Sequence, residues 1–323
     1  MKNISYPLTR ILIPFDGSPA ARLAMELSSS LVRAGGEAVQ NLTLLRVIGG
    51  GYLSRHIQNV DLRVTHMDQL KEWQRIRNRY LDEEIYPLLA EAEQILRDLG
   101  VTTSIARRVA EGKIGKEIIR LAMDEGFSAI IMGRRGLSTV KELLLGSATQ
   151  KVLAQAQGMT VYVVGQKLGL DPNCPISPIL VPIDGSEPSM EALRQAATLV
   201  QAFQSFKPRL TLLHVVDLAV LGPRISEGIT PSQLTELLEK HEQEFLKEGR
   251  EVLREAGLNG LWEEKLLTGN PPQAIAQEAE AGQYALIMMG KKGRSALEKL
   301  FMGSVASGVL HRVSHPTVAL VCR

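Results

Sequence analysis

Short apolar runs alternate with longer amphipathic stretches along this chain. The runs Ile11–Phe15 and Leu42–Val47 are apolar at most positions, which is typical of strands buried on both faces of a parallel sheet. Between them, Pro19–Arg33 carries apolar residues at helical spacing. Because strands and helices alternate in this way throughout, the pattern predicts an α/β fold, with a parallel sheet covered by helices on both faces.

The whole pattern occurs twice. Residues 10–18 (RILIPFDGS) match residues 178–186 (PILVPIDGS) at an offset of 168 positions. From Glu91 onward the offset is 157, so the first half carries 11 extra residues between Ile48 and Glu91. A repeat of this length indicates a duplicated domain. The predicted domains are 1–168 and 176–323, on either side of a linker near Gly165–Ser177.

Each half is predicted to contain five strands in the same order. The predicted strands are Ile11–Phe15, Leu42–Val47, Thr102–Val109, Ala129–Met132 and Thr160–Val164, then Ile179–Ile183, Leu210–Val216, Trp262–Leu267, Ala285–Met289 and Thr317–Val321. The predicted helices are Pro19–Arg33, Ile114–Glu125, Ala148–Ala156, Pro188–Ala202, Pro272–Ala281 and Val305–Val313, with a long charged helical stretch before each third strand. Ser18 and Ser186 are placed as helix caps, and Thr230 to Gln233 has the pattern of a capping box.

One glycine-containing stretch appears in both halves with identical spacing. Residues 133–147 read GRRGLSTVKELLLGS, and residues 290–304 read GKKGRSALEKLFMGS. The shared positions are Gly133, Gly136, Gly146 and Ser147, and Gly290, Gly293, Gly303 and Ser304. A glycine turn between a buried strand and a helix lets backbone amides and the positive helix end hold phosphates. The alternative is that these glycines only form tight turns.

Charged residues are predicted at the same edge of the sheet. Asp16 and Asp184 follow the first strand of each half, and in a doubly wound sheet that strand end lies beside the glycine turn. A carboxylate accepts from hydroxyl and amino groups and repels phosphate, so both are expected at the adenine or ribose end of a nucleotide. Alternatively, each binds its own backbone in an Asp-Gly-Ser turn. The basic loop residues are either phosphate contacts or solvated surface: Arg134, Arg135, Lys291 and Lys292.

Composition narrows the class of protein. The 323 residues are 45% apolar and 22% charged, with 37 basic and 35 acidic side chains, which gives no reason to expect a nucleic-acid partner. The two cysteines, Cys174 and Cys322, form no framework and suit a reducing compartment. No apolar run has the length of a signal peptide core or of a membrane span. The expected location is the cytoplasm.

The sequence offers little catalytic machinery. No Cys/His/Asp cluster has metal-ligand spacing, and there is no Walker-type or Gly-x-Ser-x-Gly motif. Among the histidines only His214 is expected at a strand end near the site, where the first half has Arg46. The segment around Trp73, with its cluster of basic residues, is interpreted as a solvated helix face, the alternative being a docking surface for a partner. No enzymatic role is predicted.

These residues resemble the universal stress protein family, and the chain looks like a tandem member. The family's ATP-binding signature is Gly-x2-Gly-x9-Gly-Ser/Thr, preceded by a first strand ending in Asp, and both halves match every fixed position. The resemblance implies two doubly wound domains, each a five-stranded parallel sheet in the order 3-2-1-4-5. It also implies an ATP-binding regulator of the stress response, with or without Mg²⁺. The two halves are expected to pair as an intrachain pseudo-dimer through their fifth strands, and a homodimer is a further option.

The resemblance also assigns nucleotide contacts by position. With the first basic residue of each loop included, the predicted site residues are Pro14, Asp16, Val47, Met132, Gly133, Arg134, Gly136, Gly146 and Ser147, and Pro182, Asp184, Val215, Met289, Gly290, Lys291, Gly293, Gly303 and Ser304. Two alternatives stay open. One is a slow ATPase or an adenylating enzyme on the same fold, and the other is an interaction scaffold with vestigial sites.

Overall fold

The structure is a computed structural model that describes residues 6–49, 66–135, 145–169, 171–217, 245–293 and 302–322, with isolated positions between 230 and 240. The first half contains β1 (Arg10–Pro14), α1 (Pro19–Gly35), β2 (Asn41–Ile48), α2 (His66–Tyr80), a π-helical turn (Leu81–Ile85), α3 (Tyr86–Asp98), β3 (Ser104–Glu111), α4 (Ile114–Asp124), β4 (Ala129–Gly133), α5 (Ser147–Gln155) and β5 (Met159–Val164). The second half contains β6 (Ile179–Pro182), α6 (Glu187–Ala202), β7 (Leu210–Asp217), α7 (Lys247–Glu255), β8 (Trp262–Gly269), α8 (Pro271–Ala281), β9 (Leu286–Gly290), α9 (Ser304–Leu310) and β10 (Thr317–Cys322). Short 3₁₀ turns lie at Gly36–Ala38 and Gln204–Phe206.

The strands form one ten-stranded sheet in the order β3-β2-β1-β4-β5-β10-β9-β6-β7-β8. Within each half all described pairings are parallel, and the order is 3-2-1-4-5, which confirms the predicted fold class. The second half repeats the arrangement in the opposite direction across the sheet. Parallel strands need crossover helices, and these cover both faces of the sheet.

The two halves meet at β5 and β10, which pair antiparallel. Tyr162 lies opposite Ala319, and these two positions are equivalents at the repeat offset of 157. A pseudo-two-fold axis therefore passes through this pair. On either side of it, Val163 lies opposite Val318 and Leu320 lies opposite Val161. We call this junction of the two halves the seam.

Two layers of buried residues fill the space between sheet and helices, and each layer draws on both halves. One contains buried residues of α1, α3, α6 and α7, together with the strand residues Tyr162 and Ala319. The other contains buried residues of α4, α5, α8 and α9, including Val163 and Leu320. Alternate strand residues supply the two layers, as the pleat requires. The hydrophobic core is thus continuous across the seam.

Several local predictions are confirmed by the hydrogen bonds. Ser18 Oγ accepts from the Ala21 amide at 3.2 Å, which caps α1. Ser186 plays the same part for α6. The capping box is also present, because Thr230 N donates to Gln233 Oε1 at 2.9 Å and Gln233 N donates to Thr230 Oγ1 at 3.4 Å.

The last helix of the second half is shorter than predicted. It ends at Leu310, whereas the sequence pattern runs to Val313. The amide of Arg312 bonds to the Val309 carbonyl at 2.9 Å, so the final turn tightens before the chain enters β10. Among the described residues, every helix is too short or too polar to span a membrane.

Candidate functional site

At the carboxyl end of the sheet in each half the first and fourth strands separate, and we call the space between them the crevice. The described pairing of β1 with β4 ends at Leu12, opposite Ile130, and the pairing of β6 with β9 ends at Leu180. Beyond these points the strands part. The order of strands reverses at the same place, which is where doubly wound folds bind ligands.

Proline ends the first strand of each half at Pro14 and Pro182. The following amide, of Phe15 or Ile183, bonds to the second strand at 2.8 Å. Since backbone groups alternate in direction along a strand, the missing N–H of each proline faces the fourth strand. Each proline, at a position predicted to contact nucleotide, therefore leaves no unpaired backbone N–H in the crevice.

Both predicted aspartates lie at the mouth of the crevice, and both form the Asp-Gly-Ser turn. Asp16 Oδ1 accepts from the Ser18 amide at 3.0 Å. Asp184 Oδ1 accepts from the amide of Ser186 at 3.0 Å and from its hydroxyl at 2.6 Å. The alternative that each aspartate binds its own backbone in an Asp-Gly-Ser turn is thus present in the structure. It engages one carboxylate oxygen in the turn and holds the group at the strand end.

The first glycine of each motif packs against a helix. A Cβ on Gly133 would lie 2.7 Å from Ala20 Cβ and 2.9 Å from Ala20 C. A Cβ on Gly290 would lie 2.8 Å from Pro188 C. These positions need glycine because the fourth strand meets the first turn of α1 or α6 closely. Their direct role is packing, which brings the helix beside the crevice.

The second glycine can be followed only in the second half, since Gly136 lies outside the described residues. A Cβ on Gly293 would collide with Asp184 Oδ2. The absence of a side chain here therefore lets the glycine turn approach the carboxylate closely. The predicted neighbourhood of aspartate and glycine turn is present in this half.

The third glycine closes the loop by a backbone bond. Gly146 N donates to Arg134 O at 3.0 Å, and Gly303 N donates to Lys291 O at 2.9 Å. The φ values are −64° and −67°, so both glycines have a backbone conformation that other residues also adopt. A Cβ on Gly146 would make only ordinary contacts, whereas a Cβ on Gly303 would lie 3.2 Å from Lys291 O, so the protein itself leaves little space only at Gly303.

Each third glycine is followed by a helix whose first turn has no side-chain cap. In the first half this is α5, of nine residues, which starts at the exposed Ser147. Its first amides are therefore available to an anion. In the second half α9 has only seven residues, and the feature that matches the first half there is the glycine turn.

The apolar residues predicted at the site belong to one core layer, and we call this group the apolar wall. Val47 and Met132 are buried in the same layer, 7% and 5% exposed. Leu145, which the sequence analysis missed, belongs to this layer too. The second half repeats the wall with Val215 and Met289, and with Met302 in the place of Leu145. The sequence signal that could have identified Leu145 and Met302 is that an apolar residue directly precedes the third glycine in both motifs.

The first basic residue of each loop lies elsewhere than expected. Arg134 and Lys291 are buried, 5% and 6% exposed. Arg134 Nη2 donates to the carbonyl of Leu310, in the opposite half. Lys291 Nζ donates to Ala156 O at 2.8 Å, also across the seam. Both side chains therefore bind helix ends of the other half, which the solvated-surface alternative did not predict, and their role as phosphate contacts stays a prediction.

Burial changes the acidity of both cations. Desolvation, together with the neighbouring Arg135, lowers the pKa of Arg134 to about 10. Burial also lowers the pKa of Lys291. Among the described residues, Nε and Nη1 of Arg134 are buried without a hydrogen-bond partner. These two donors fit an anion, since an unpaired buried guanidinium nitrogen is costly.

The histidine predicted near the site faces away from it. His214 Nδ1 lies 2.9 Å from Ile183 O, and since the carbonyl only accepts, this nitrogen carries the proton. The imidazole stacks on Phe245 with ring centroids 4.5 Å apart. Its neighbour Val215 packs in the layer that lines the crevice, so His214 points to the opposite face of the sheet. Among the described residues, no three acidic, cysteine or histidine side chains are grouped as a metal site.

A model of the universal stress protein family matches this chain twice, over residues 7–164 and 175–320. A universal stress protein of Methanocaldococcus jannaschii is 31% identical over 142 residues, which are 44% of this chain and 80% of the relative. A universal stress protein of Mycolicibacterium smegmatis is 28% identical over 254 residues, 74% of this chain and 77% of the relative.

Similarity to a solved structure extends over both halves. The crystal structure of a universal stress protein from Archaeoglobus fulgidus superposes with a TM-score of 0.65. The alignment covers 98% of each chain at 23% sequence identity. At that identity the comparison supports the fold, in two tandem copies.

Proposed function

The chain belongs to the universal stress protein family, whose model matches nearly all of both halves, and from this premise we propose that it is a regulatory protein of the stress response that binds one ATP in each half. It acts through nucleotide occupancy, and we propose no catalytic role for it. The proposed domains are 1–168 and 176–323, and the proposed location is the cytoplasm.

One observation carries the proposal. In each half a carboxylate follows the first strand and a glycine turn closed by a backbone bond follows the fourth, and in the second half a Cβ on Gly293 would collide with Asp184. A hydrogen-bond acceptor at one side and backbone amides at the other match the two ends of a nucleotide, ribose and phosphate. The same combination occurs in both halves, although most of the surrounding sequence differs.

We assign the parts of the nucleotide as follows. The adenine lies against the apolar wall of Val47 and Met132, and Asp16 accepts from ribose hydroxyls. The phosphates lie at the turn from Gly133 to Gly146 and at the first turn of α5, beside Ser147. The second half uses Val215, Met289, Asp184 and its own glycine turn. Mg²⁺, where present, is carried by the phosphates, since the described residues supply no cluster of carboxylates for it.

The two halves are proposed to work as an intrachain pseudo-dimer. Support comes from the antiparallel pairing of β5 with β10 about the pseudo-two-fold axis and from a core that continues across the seam. With the fifth strands paired inside one chain, neither remains as an open edge for another copy. The functional unit is therefore a single chain, and a homodimer would need another surface.

Protein purified without added nucleotide is expected to carry an adenine nucleotide. Mass spectrometry of the denatured protein identifies what is retained, and calorimetric titration of nucleotide-free protein with ATP should give a stoichiometry near two. The reason is that each half carries the aspartate, the three glycines and the serine of the motif. Protein that retains nothing and gives no binding heat would instead support the scaffold alternative.

We expect ATP to be held and hydrolysed slowly or not at all. His214, the histidine predicted near the site, lies against the carbonyl of Ile183, and the described residues include no metal cluster, so among them we identify no positioned base. The measurement is turnover of labelled ATP under steady-state conditions. Sustained turnover of about 1 per second or more, the range of ordinary enzymes, would contradict the regulatory proposal and favour an ATPase.

A further inference from the structure

Two reciprocal contacts cross the seam from equivalent positions. Arg134 and Lys291 are related by the repeat offset of 157, and each directly follows the first glycine of its motif. Arg134 donates to Leu310 O, at the end of α9. Lys291 donates to Ala156 O at 2.8 Å and to Ala154 O at 3.3 Å, at the end of α5. Each loop cation thus holds the last helix of the opposite half.

Each of these helices starts at a candidate phosphate turn. α5 begins directly after Gly146, and its other end is bound by Lys291 from the second loop. α9 begins directly after Gly303, and its other end is bound by Arg134 from the first loop. The two glycine turns are therefore connected twice. One connection runs through α5 and Lys291, the other runs through α9 and Arg134, and we call each helix with its cation a link.

The links are short and stiff. With nine and seven residues, the helices span about 13 Å and about 10 Å, at a rise of about 1.5 Å per residue. Carbonyl oxygens at a helix end are the negative pole of its dipole, so a buried cation is stabilised there. Leaving that place would strand a buried charge. The loop and the opposite helix should then move together.

The first-half link has an additional property. Arg134 uses Nη2 for the seam, whereas Nε and Nη1 are buried without a partner among the described residues. An anion bound by those two nitrogens would be joined to α9 through one planar, rigid group. Lysine has no such plane, so the two links are related by position and differ in chemistry.

We propose that Arg134 and Lys291 are positioning residues that couple the two ATP sites across the seam, so that occupation of one site tightens binding at the other. This rests on the proposed function. Nucleotide bound at one turn fixes the start of the adjoining helix. The far end of that helix then holds the cation at the opposite turn, which is ordered before its own nucleotide arrives.

The test is a calorimetric titration of nucleotide-free protein with ATP, analysed for two stepwise constants. The parent should bind the second ATP at least about 5-fold more tightly than independent sites allow. The double variant Arg134→Met with Lys291→Met removes both charges at similar chain length, and its sites should bind independently. Lys151→Met is the matched control, because Lys151 is an exposed lysine on α5. It should keep the coupling of the parent.

Conservative exchange separates positioning from folding. Arg134→Lys and Lys291→Arg give each half the residue that the other half has, and both should retain coupling. A second readout uses hydrogen exchange in Gly146→Val, whose first site is blocked. ATP should then protect the end of α5 through Lys291, and adding Lys291→Met should remove that protection. This comparison tests the contact of Lys291 with the end of α5 directly, so it remains informative if the double variant is less stable.

Each outcome has one meaning. Two equivalents of ATP that bind independently in the parent would overturn the coupling and leave the proposed function intact. Coupling that survives in the folded double variant would overturn the role of Arg134 and Lys291. Absence of ATP binding in the parent would overturn the proposed function and this inference with it.

Discussion

Replacing Gly146 with valine should abolish nucleotide binding in the first half and leave one binding site, in the second half. The backbone at Gly146, with φ −64° and ψ 150°, is open to valine. A Cβ there would meet Arg135 Cα at 3.4 Å and Arg134 O at 3.5 Å, which are ordinary contacts. The fold should therefore persist at a cost of about 1 kcal/mol, the usual loss for a poor helix cap. The methyl groups would occupy the space proposed for phosphate.

Gly303→Val should have the reciprocal effect. Here a Cβ would lie 3.2 Å from Lys291 O, so the loop must shift slightly and the stability loss should be larger. Calorimetry should give a stoichiometry near two for the parent and near one for either variant. Circular dichroism checks folding, and Gly146→Ala tests whether bulk beyond Cβ is responsible. If Gly146→Val still binds two equivalents, the first motif copy is only a turn.

Glutamate at both Val163 and Leu320 should destabilise the whole molecule. Both side chains are 0% exposed and lie in the layer that spans the seam. Burying an unpaired carboxylate costs several kcal/mol, and two such costs are comparable to a typical stability of about 5–15 kcal/mol. Urea unfolding followed by circular dichroism should show a large fall in the midpoint, and size-exclusion chromatography a larger hydrodynamic radius.

The matched control places the same residue on the surface of each half. Met123 and Leu261 are 51% and 46% exposed, so Met123→Glu with Leu261→Glu should change the unfolding midpoint little. In the parent we expect one transition, because both core layers contain residues of both halves. Unchanged stability and compactness in the seam variant would argue that the halves do not depend on this junction.

The repeat made much of the fold predictable. Matching motifs at offsets of 168 and 157 indicated two copies of one α/β domain, and the family resemblance supplied the strand order now seen in the sheet. Caps at Ser18 and Ser186 and the capping box at Thr230 were predictable because a cap involves residues three positions apart. Such local interactions are encoded within a few residues, so a single sequence is enough to recognise them.

The different structural roles of the glycines could not be predicted from the sequence in the same way. Spacing identified all three positions, yet Gly133 serves packing against Ala20, while Gly293 gives the turn access to Asp184. These reasons depend on which backbone passes within a few ångströms. That is decided by the packing of a helix on a sheet, after the chain has folded.

The sequence by itself determined the duplicated domain, the alternation of strands and helices, and the positions of the carboxylates and glycine turns. Only the tertiary structure decided where the loop cations go. Arg134 meets a carbonyl 176 positions away, and Lys291 meets one 135 positions away. In sequence both read as solvated or phosphate-binding charges, since each follows a glycine and stands next to a second basic residue, Arg135 or Lys292. The seam brings two helix ends to them, and this placement exists only once β5 and β10 have paired.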